Sequence, residues 1–96
     1  MTYRVVVLPK ADRQLDMIDV WWRAHRLASP DLFMTEFERA RARLAIFPDS
    51  GRRYGLARFV MLPVTRYLLY YAVDDAKAVV RILAIRSAHH GPIARL

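Results

Sequence analysis

Cysteine is missing from all 96 residues, which excludes disulfides, thiolate metal sites and a cysteine nucleophile. Glycine occurs only three times and never as a cluster, so a glycine-rich phosphate loop is excluded too. No apolar run approaches the roughly 18 residues a membrane-spanning helix needs. The opening "MTYRVVVLPKADRQ" passes from a short apolar stretch straight into charge, with neither the hydrophobic length nor the small-residue cleavage site of a signal peptide. A cytoplasmic location is therefore expected. Acid is scarce in one half only. Residues 1–49 carry eight Lys or Arg against seven Asp or Glu, whereas residues 50–96 carry eight against two, so nearly all of the +7 net charge belongs to the second half. Such a field attracts nucleic acid or an acidic protein.

With 55% hydrophobic and 26% charged residues the chain has the composition of a folded protein, and its length suits one domain spanning residues 1–96. "YRVVVL" (3–8) is short and β-branched, the pattern of a strand, and Pro9 ends it. From Pro9 to about Leu27, Ala11, Leu15, Ile18 and Trp22 fall at helical spacing, with Asp12, Asp16, Asp19, Arg23 and Arg26 on other faces. Ser29 as N-cap and Pro30 at the first helical position then restart a helix. Its apolar stripe is Phe33, Phe37, Ala40, Leu44 and Phe47, and Glu36, Glu38, Arg39, Arg41 and Arg43 are expected on its wet sides.

"FPDSGRRYG" is turn chemistry. After it, "ARFVMLPV" (57–64), "RYLLYYAV" (66–73) and "AVVRILAI" (78–85) read as strands, with "DDAK" as a hairpin turn. The order is β-α-α-β-β-β. This is an α+β fold with a helical hairpin packed on one face of a small antiparallel-rich sheet. A tight turn pairs Val73 with Ala78, Tyr70 with Arg81 and Tyr71 with Val80. Alternation then places Arg66, Leu68, Tyr70 and Arg81 on an open basic face, and Leu69, Tyr71, Val80, Ile82 and Ala84 under the helices.

These elements, with the "ARLAIFPDSGR" junction (42–52), "LPVTRYLLYYAVDD" (62–75) and the closing "VVRILAIRSAHHGP" (79–92), resemble the ParE/RelE superfamily of bacterial toxins over nearly the whole chain. The resemblance implies the toxin half of a type II toxin–antitoxin pair. An antitoxin would hold this basic domain inactive in a hetero-oligomer, with a homodimer of the free toxin also possible. RelE-like members cleave messenger RNA on the ribosome, and ParE-like members act on DNA gyrase. Cleavage through the 2′-hydroxyl needs a base, an acid and fixed positive charge. Arg66, Arg81 and Arg86 supply charge, His89 and His90 supply proton transfer, and Tyr70 supplies stacking.

Two features favour the ParE-like branch. Where some of the ribosome-dependent members carry an arginine this chain has Leu68, and it continues six residues past His90. His89 and His90, beside Gly91 and Pro92, fit a solvated strand exit as well as a catalytic pair. Arg81 equally suits an ion pair with an acid. A non-toxic interaction module of the same fold is a further alternative. The surface expected to meet target or antitoxin comprises Trp21, Arg58, Arg66, Tyr70, Arg81 and Arg86; Trp21 joins it because Trp22, about 100° around the helix, takes the core position. No cofactor is expected, and the Asp12, Asp16 and Asp19 face has no histidine near it in sequence to suggest a metal site.

Overall fold

A computed structural model describes residues 2–88; His89, His90 and the arm after Pro92 lie outside the described residues. The elements are β1 (Arg4–Val7), α1 (Pro9–His25), α2 (Leu32–Ile46), β2 (Arg52–Tyr54), β3 (Ala57–Met61), β4 (Tyr67–Asp74) and β5 (Val79–Ser87). The strands form one sheet in the order β1-β5-β4-β3-β2, with β1 parallel to β5 and every other pair antiparallel. The two helices cover one face, where Ala11, Leu15, Phe33, Phe37 and Leu44 bury against Val5, Leu69, Tyr71, Val80, Ile82 and Ile85. The α+β architecture is as expected from the sequence. Among the described residues no helix is long and apolar enough to cross a membrane.

The first helix begins as read, with Pro9 in its first turn, Asp12 near its positive end, and Arg23 and His25 near its negative end. It stops two residues before the expected Leu27. The second helix begins at Leu32 after Asp31, so Ser29 is not its N-cap and Pro30 is not its first residue. Ser29 contributes its carbonyl instead, which accepts the Trp22 indole N–H at 2.9 Å and the Leu32 amide at 3.2 Å. The Asp31 carboxylate turns to the Arg23 guanidinium at 2.6 Å. Phe47 leaves the apolar stripe because the helix ends at Ile46, and the ring is 58% exposed.

Three side chains fix how the helices and sheet meet. Glu36, expected on a wet face, is buried. Its Oε2 accepts the Val64 amide at 2.8 Å, and its Oε1 accepts the Thr65 amide at 2.8 Å and the Thr65 hydroxyl at 2.7 Å. This ties α2 to the β3–β4 connection. The buried Tyr71 hydroxyl donates to the Pro48 carbonyl at 2.8 Å and accepts the Gly51 amide at 2.9 Å, closing the turn after α2. Burial raises the Tyr71 phenol above its ordinary pKa. A Cβ at Gly51 would lie 2.5 Å from that hydroxyl and 2.7 Å from the Phe59 carbonyl, so this close approach requires glycine. Finally, Gln14 Oε1 accepts the Ile85 amide at 2.8 Å, completing a stretch of β5 that β1 is too short to pair.

The strands depart from the expected register. β4 runs on to Asp74, which pairs with Val79, and Val73 pairs with Val80 rather than Ala78. The hairpin loop is residues 75–78, with Ala78 at φ 52. Tyr71 faces Ile82, not Val80, and Tyr70 faces Ala84, not Arg81. Between those two pairs Leu83 is an extra residue, a β-bulge that reverses the facing of everything after it on β5. Ala84 therefore lies on the open face beside Leu68 and Tyr70, and Ile85 takes the place under the helices. β3 stops at Met61, three residues before the expected end. β2 was not anticipated. It pairs with β3 across the two-residue loop Gly55–Leu56, and Gly55 takes φ +60, which suits a tight hairpin.

Replacing Glu36 by Ala leaves the buried Thr65 amide and hydroxyl and the part-buried Val64 amide without their acceptor and is expected to cost about 3–5 kcal/mol in urea unfolding, with Gln intermediate because it keeps one carbonyl oxygen. Gly51→Ala is expected to cost about 2 kcal/mol in the same measurement, and pairing it with Tyr71→Phe should recover part of that by removing the clashing oxygen.

Candidate functional site

The sheet face away from the helices carries the candidate site. Pleating and register place Arg52 and Tyr54 of β2, Phe59 and Met61 of β3, Leu68, Tyr70, Ala72 and Asp74 of β4, and Arg81, Ala84 and Arg86 of β5 on it. Its centre is a second small core of Leu68, Tyr70 and Ala84, with Tyr54, Phe59 and Ala88 packed against it. Tyr70 is only 4% exposed, because Tyr54 lies edge-on at 5.3 Å and Phe59 tilted at 5.6 Å between ring centroids. The ring expected to stack on a ligand is instead held among neighbouring rings.

The arginines divide between the two ends of this face. Arg81 Nη1 sits 3.3 Å from Asp74 Oδ2, the ion pair that its place in an apolar strand suggested. Arg86 lies opposite Leu68, five residues on, roughly 15 Å along the strand. Its Nε is enclosed with no hydrogen-bond acceptor among the described residues. Arg66 precedes β4 rather than lying in it, with φ 64, and its carbonyl accepts the Ala88 amide at 2.8 Å. The backbone thus places Arg66 at the same end of the sheet as Arg86 and leaves Arg81 at the other.

Arg58 and Trp21 lie elsewhere. Arg58 pairs with Tyr71, which puts it on the helix side of the sheet, and it donates to the Gly51 carbonyl at 2.9 Å and the Asp49 carbonyl at 3.3 Å. Trp21 is on the outward surface of α1, stacked on His25 at 4.6 Å with the Arg26 guanidinium 5.0 Å from its ring. Met17, one turn before it, and Val20, the residue preceding it, also stand exposed. No group of three His, Asp or Glu side chains among the described residues is placed to hold a metal ion. Sequence reasoning missed Arg52, Tyr54 and Phe59 because it missed β2; the signal available was the single glycine between two short runs in "RRYGLARF".

A family model described as the ParE toxin of the type II toxin–antitoxin system parDE matches residues 5–91. The chain belongs to this family. The fold of this ParE/RelE-superfamily toxin is similar to that of a mutant E. coli toxin RelE in the free state, with a TM-score of 0.65 and 18% identity over 95% of this chain and 88% of that one. It is also similar to a chain of the intact E. coli RelBE toxin–antitoxin complex, with a TM-score of 0.51 and 19% identity over 90% of this chain and 96% of that one. No curated protein matches the sequence.

Asp74 tests the electrostatics of the toxin's open face. The Lys77 amide, reaching its Oδ1 at 3.1 Å, and then Arg81 hold its carboxyl below the usual carboxylate range. A depressed folded-state pKa contributes stability above the unfolded pKa that is lost as pH falls through the folded one. Asp74→Asn is therefore expected to lose less of its remaining stability than wild type between about pH 5 and about pH 2, read from urea midpoints.

Proposed function

We propose that this chain is a ParE-like toxin that inhibits DNA gyrase and is neutralised by an acidic antitoxin. The observation that carries the proposal is the division of the arginines. Arg81 is neutralised by Asp74 at one end of the open face, and Arg66 and Arg86 stand at the other. Tyr70, the ring that stacking on RNA would use, is packed inside the aromatic cluster. The family model's description supports the toxin–antitoxin setting, and the likeness to the RelBE complex supports a protein partner. Trp21 with Met17 and Val20, together with the Arg66 and Arg86 end of the sheet, are the surfaces assigned to target and antitoxin.

One observation favours a RelE-like ribosome-dependent endoribonuclease instead. The unmatched Arg86 Nε beside Arg66 suits a phosphate, and His89 or His90 would have to supply the proton transfer. Purified gyrase supercoiling run beside cleavage of a ribosome-bound message separates the two readings. Inhibition of supercoiling with intact message is expected, and it should be weakened by Trp21→Ala. Cut message abolished by replacing Arg86 with His89 and His90 would establish the nuclease. No effect in either assay would leave the non-toxic interaction module.

A further inference from the structure

The outward face of α1 is apolar at its middle. Met17 is 72% exposed and Val20 68%, and Trp21, at 40%, borders them. Counting Arg13 before them and Ala24 after, steps of four, three and four residues put Arg13, Met17, Val20 and Ala24 in one stripe, and all four are exposed. The opposite face of the helix carries Ala11 and Leu15 into the core, so no described element covers the stripe. The solvent side of such a helix is ordinarily polar, and contiguous apolar exposure on it marks a contact surface.

The charges around the stripe decide what it meets. Three basic residues of α1, Lys10, Arg13 and Arg23, stand against three acids, Asp12, Asp16 and Asp19, so the helix is neutral in a chain of net charge +7. A neutral helix has no field of its own to draw an acidic protein or a phosphate backbone, and it is where two copies of a basic chain repel least. Lys10, Arg13 and Asp16 take part in none of the ion pairs among the described residues. Arg23 bonds Asp19 through Nε at 3.1 Å and Asp31 through Nη1 at 2.6 Å, which holds its guanidinium in place and leaves Nη2 as a further donor.

We propose that α1 is a self-docking surface, on which two copies of this chain pair antiparallel about a two-fold axis between Met17 and Val20. Met17 of each copy then packs on Val20 of the other, and the stem of Arg13 crosses the small Ala24 near the negative end of the second helix. At the flank, Asp16 of each copy meets Arg23 of the other, and symmetry makes each contact twice. Parallel pairing is disfavoured, because it sets Arg13 against Arg13 and Asp16 against Asp16. The contact is one helix wide, well below the roughly 800 Å² per partner of a standard interface, so the dissociation constant is on the order of 100 µM. The pairing does not rest on the toxin reading, but it covers Met17 and Val20, so self-association and the target contact proposed for that surface exclude one another.

Sedimentation equilibrium of the whole protein from about 10 to about 500 µM is expected to show a mass rising from one chain toward two. M17S/V20S, which leaves the charge untouched at two exposed positions, should weaken association about tenfold or more while the variant unfolds near the wild-type temperature. Ile46→Ser, at a position 55% exposed on α2, should leave association unchanged. Because the chain has no cysteine of its own, register can be read by mild oxidation of R13C mixed with A24C, which is expected to link residue 13 of one copy to residue 24 of the other. R13C alone should link slowly, since antiparallel pairing sets the two copies of that residue far apart. The inference is overturned by a single-chain mass up to about 500 µM, by equal weakening in M17S/V20S and Ile46→Ser, or by R13C alone linking as fast as the mixture.

Discussion

The Glu36 carboxylate holds the helical layer and the sheet in one arrangement. Among the described residues it is the only charged side chain that is buried, and it is stable there because three donors converge on it, two backbone amides and a hydroxyl, all from Val64 and Thr65. Those residues form the connection from β3 to β4. Fixing them fixes where β4 begins, and Arg66, the next residue, is held in a left-handed conformation that only a well-determined turn sustains. The same clamp keeps α2 over the β3 side of the sheet.

The two layers then divide the labour. Under the helices lies the larger apolar core, where Phe33 and Phe37 from α2 meet Leu69, Tyr71 and Ile82. On the opposite face the smaller cluster around Tyr70 is dry only because β2 brings Tyr54 across to cover it. A three-residue strand thus does two things. It shields the centre of the open face, and by its shortness it leaves the Met61 edge unpaired.

Much of this was legible in the sequence wherever a single period governed a segment. Ala11, Leu15, Phe33, Phe37 and Leu44 declared their faces because helical spacing repeats over several turns. The opening strand, the three longer strands after the helices and the acid partner offered as one reading of Arg81 followed from similarly local patterns. What was not legible depends on partners far away in the chain. Glu36 looks like any solvated helix acid until residues 28 and 29 positions later fold onto it. Phe47 obeys the stripe but stands one residue past the helix end. Asp31 caps nothing because Arg23 claims its carboxylate from the preceding helix.

The β-bulge shows how one such non-local feature decides the character of the candidate site. Arg81 and Arg86 are five residues apart, an odd separation that in a regular strand would put them on opposite faces, Arg86 among the apolar side chains beneath the helices. The extra residue at Leu83 reverses the later half of β5, delivering Arg86 to the open face and Ile85 to the core. Such a bulge disturbs the ladder, and just beyond it β1 has already ended, so the Ile85 amide would be orphaned. Gln14 on α1 satisfies it. A polar side chain on the first helix therefore supports the placement of a basic group on the far side of the sheet, and the positive face of the toxin depends on a residue that does not lie on it.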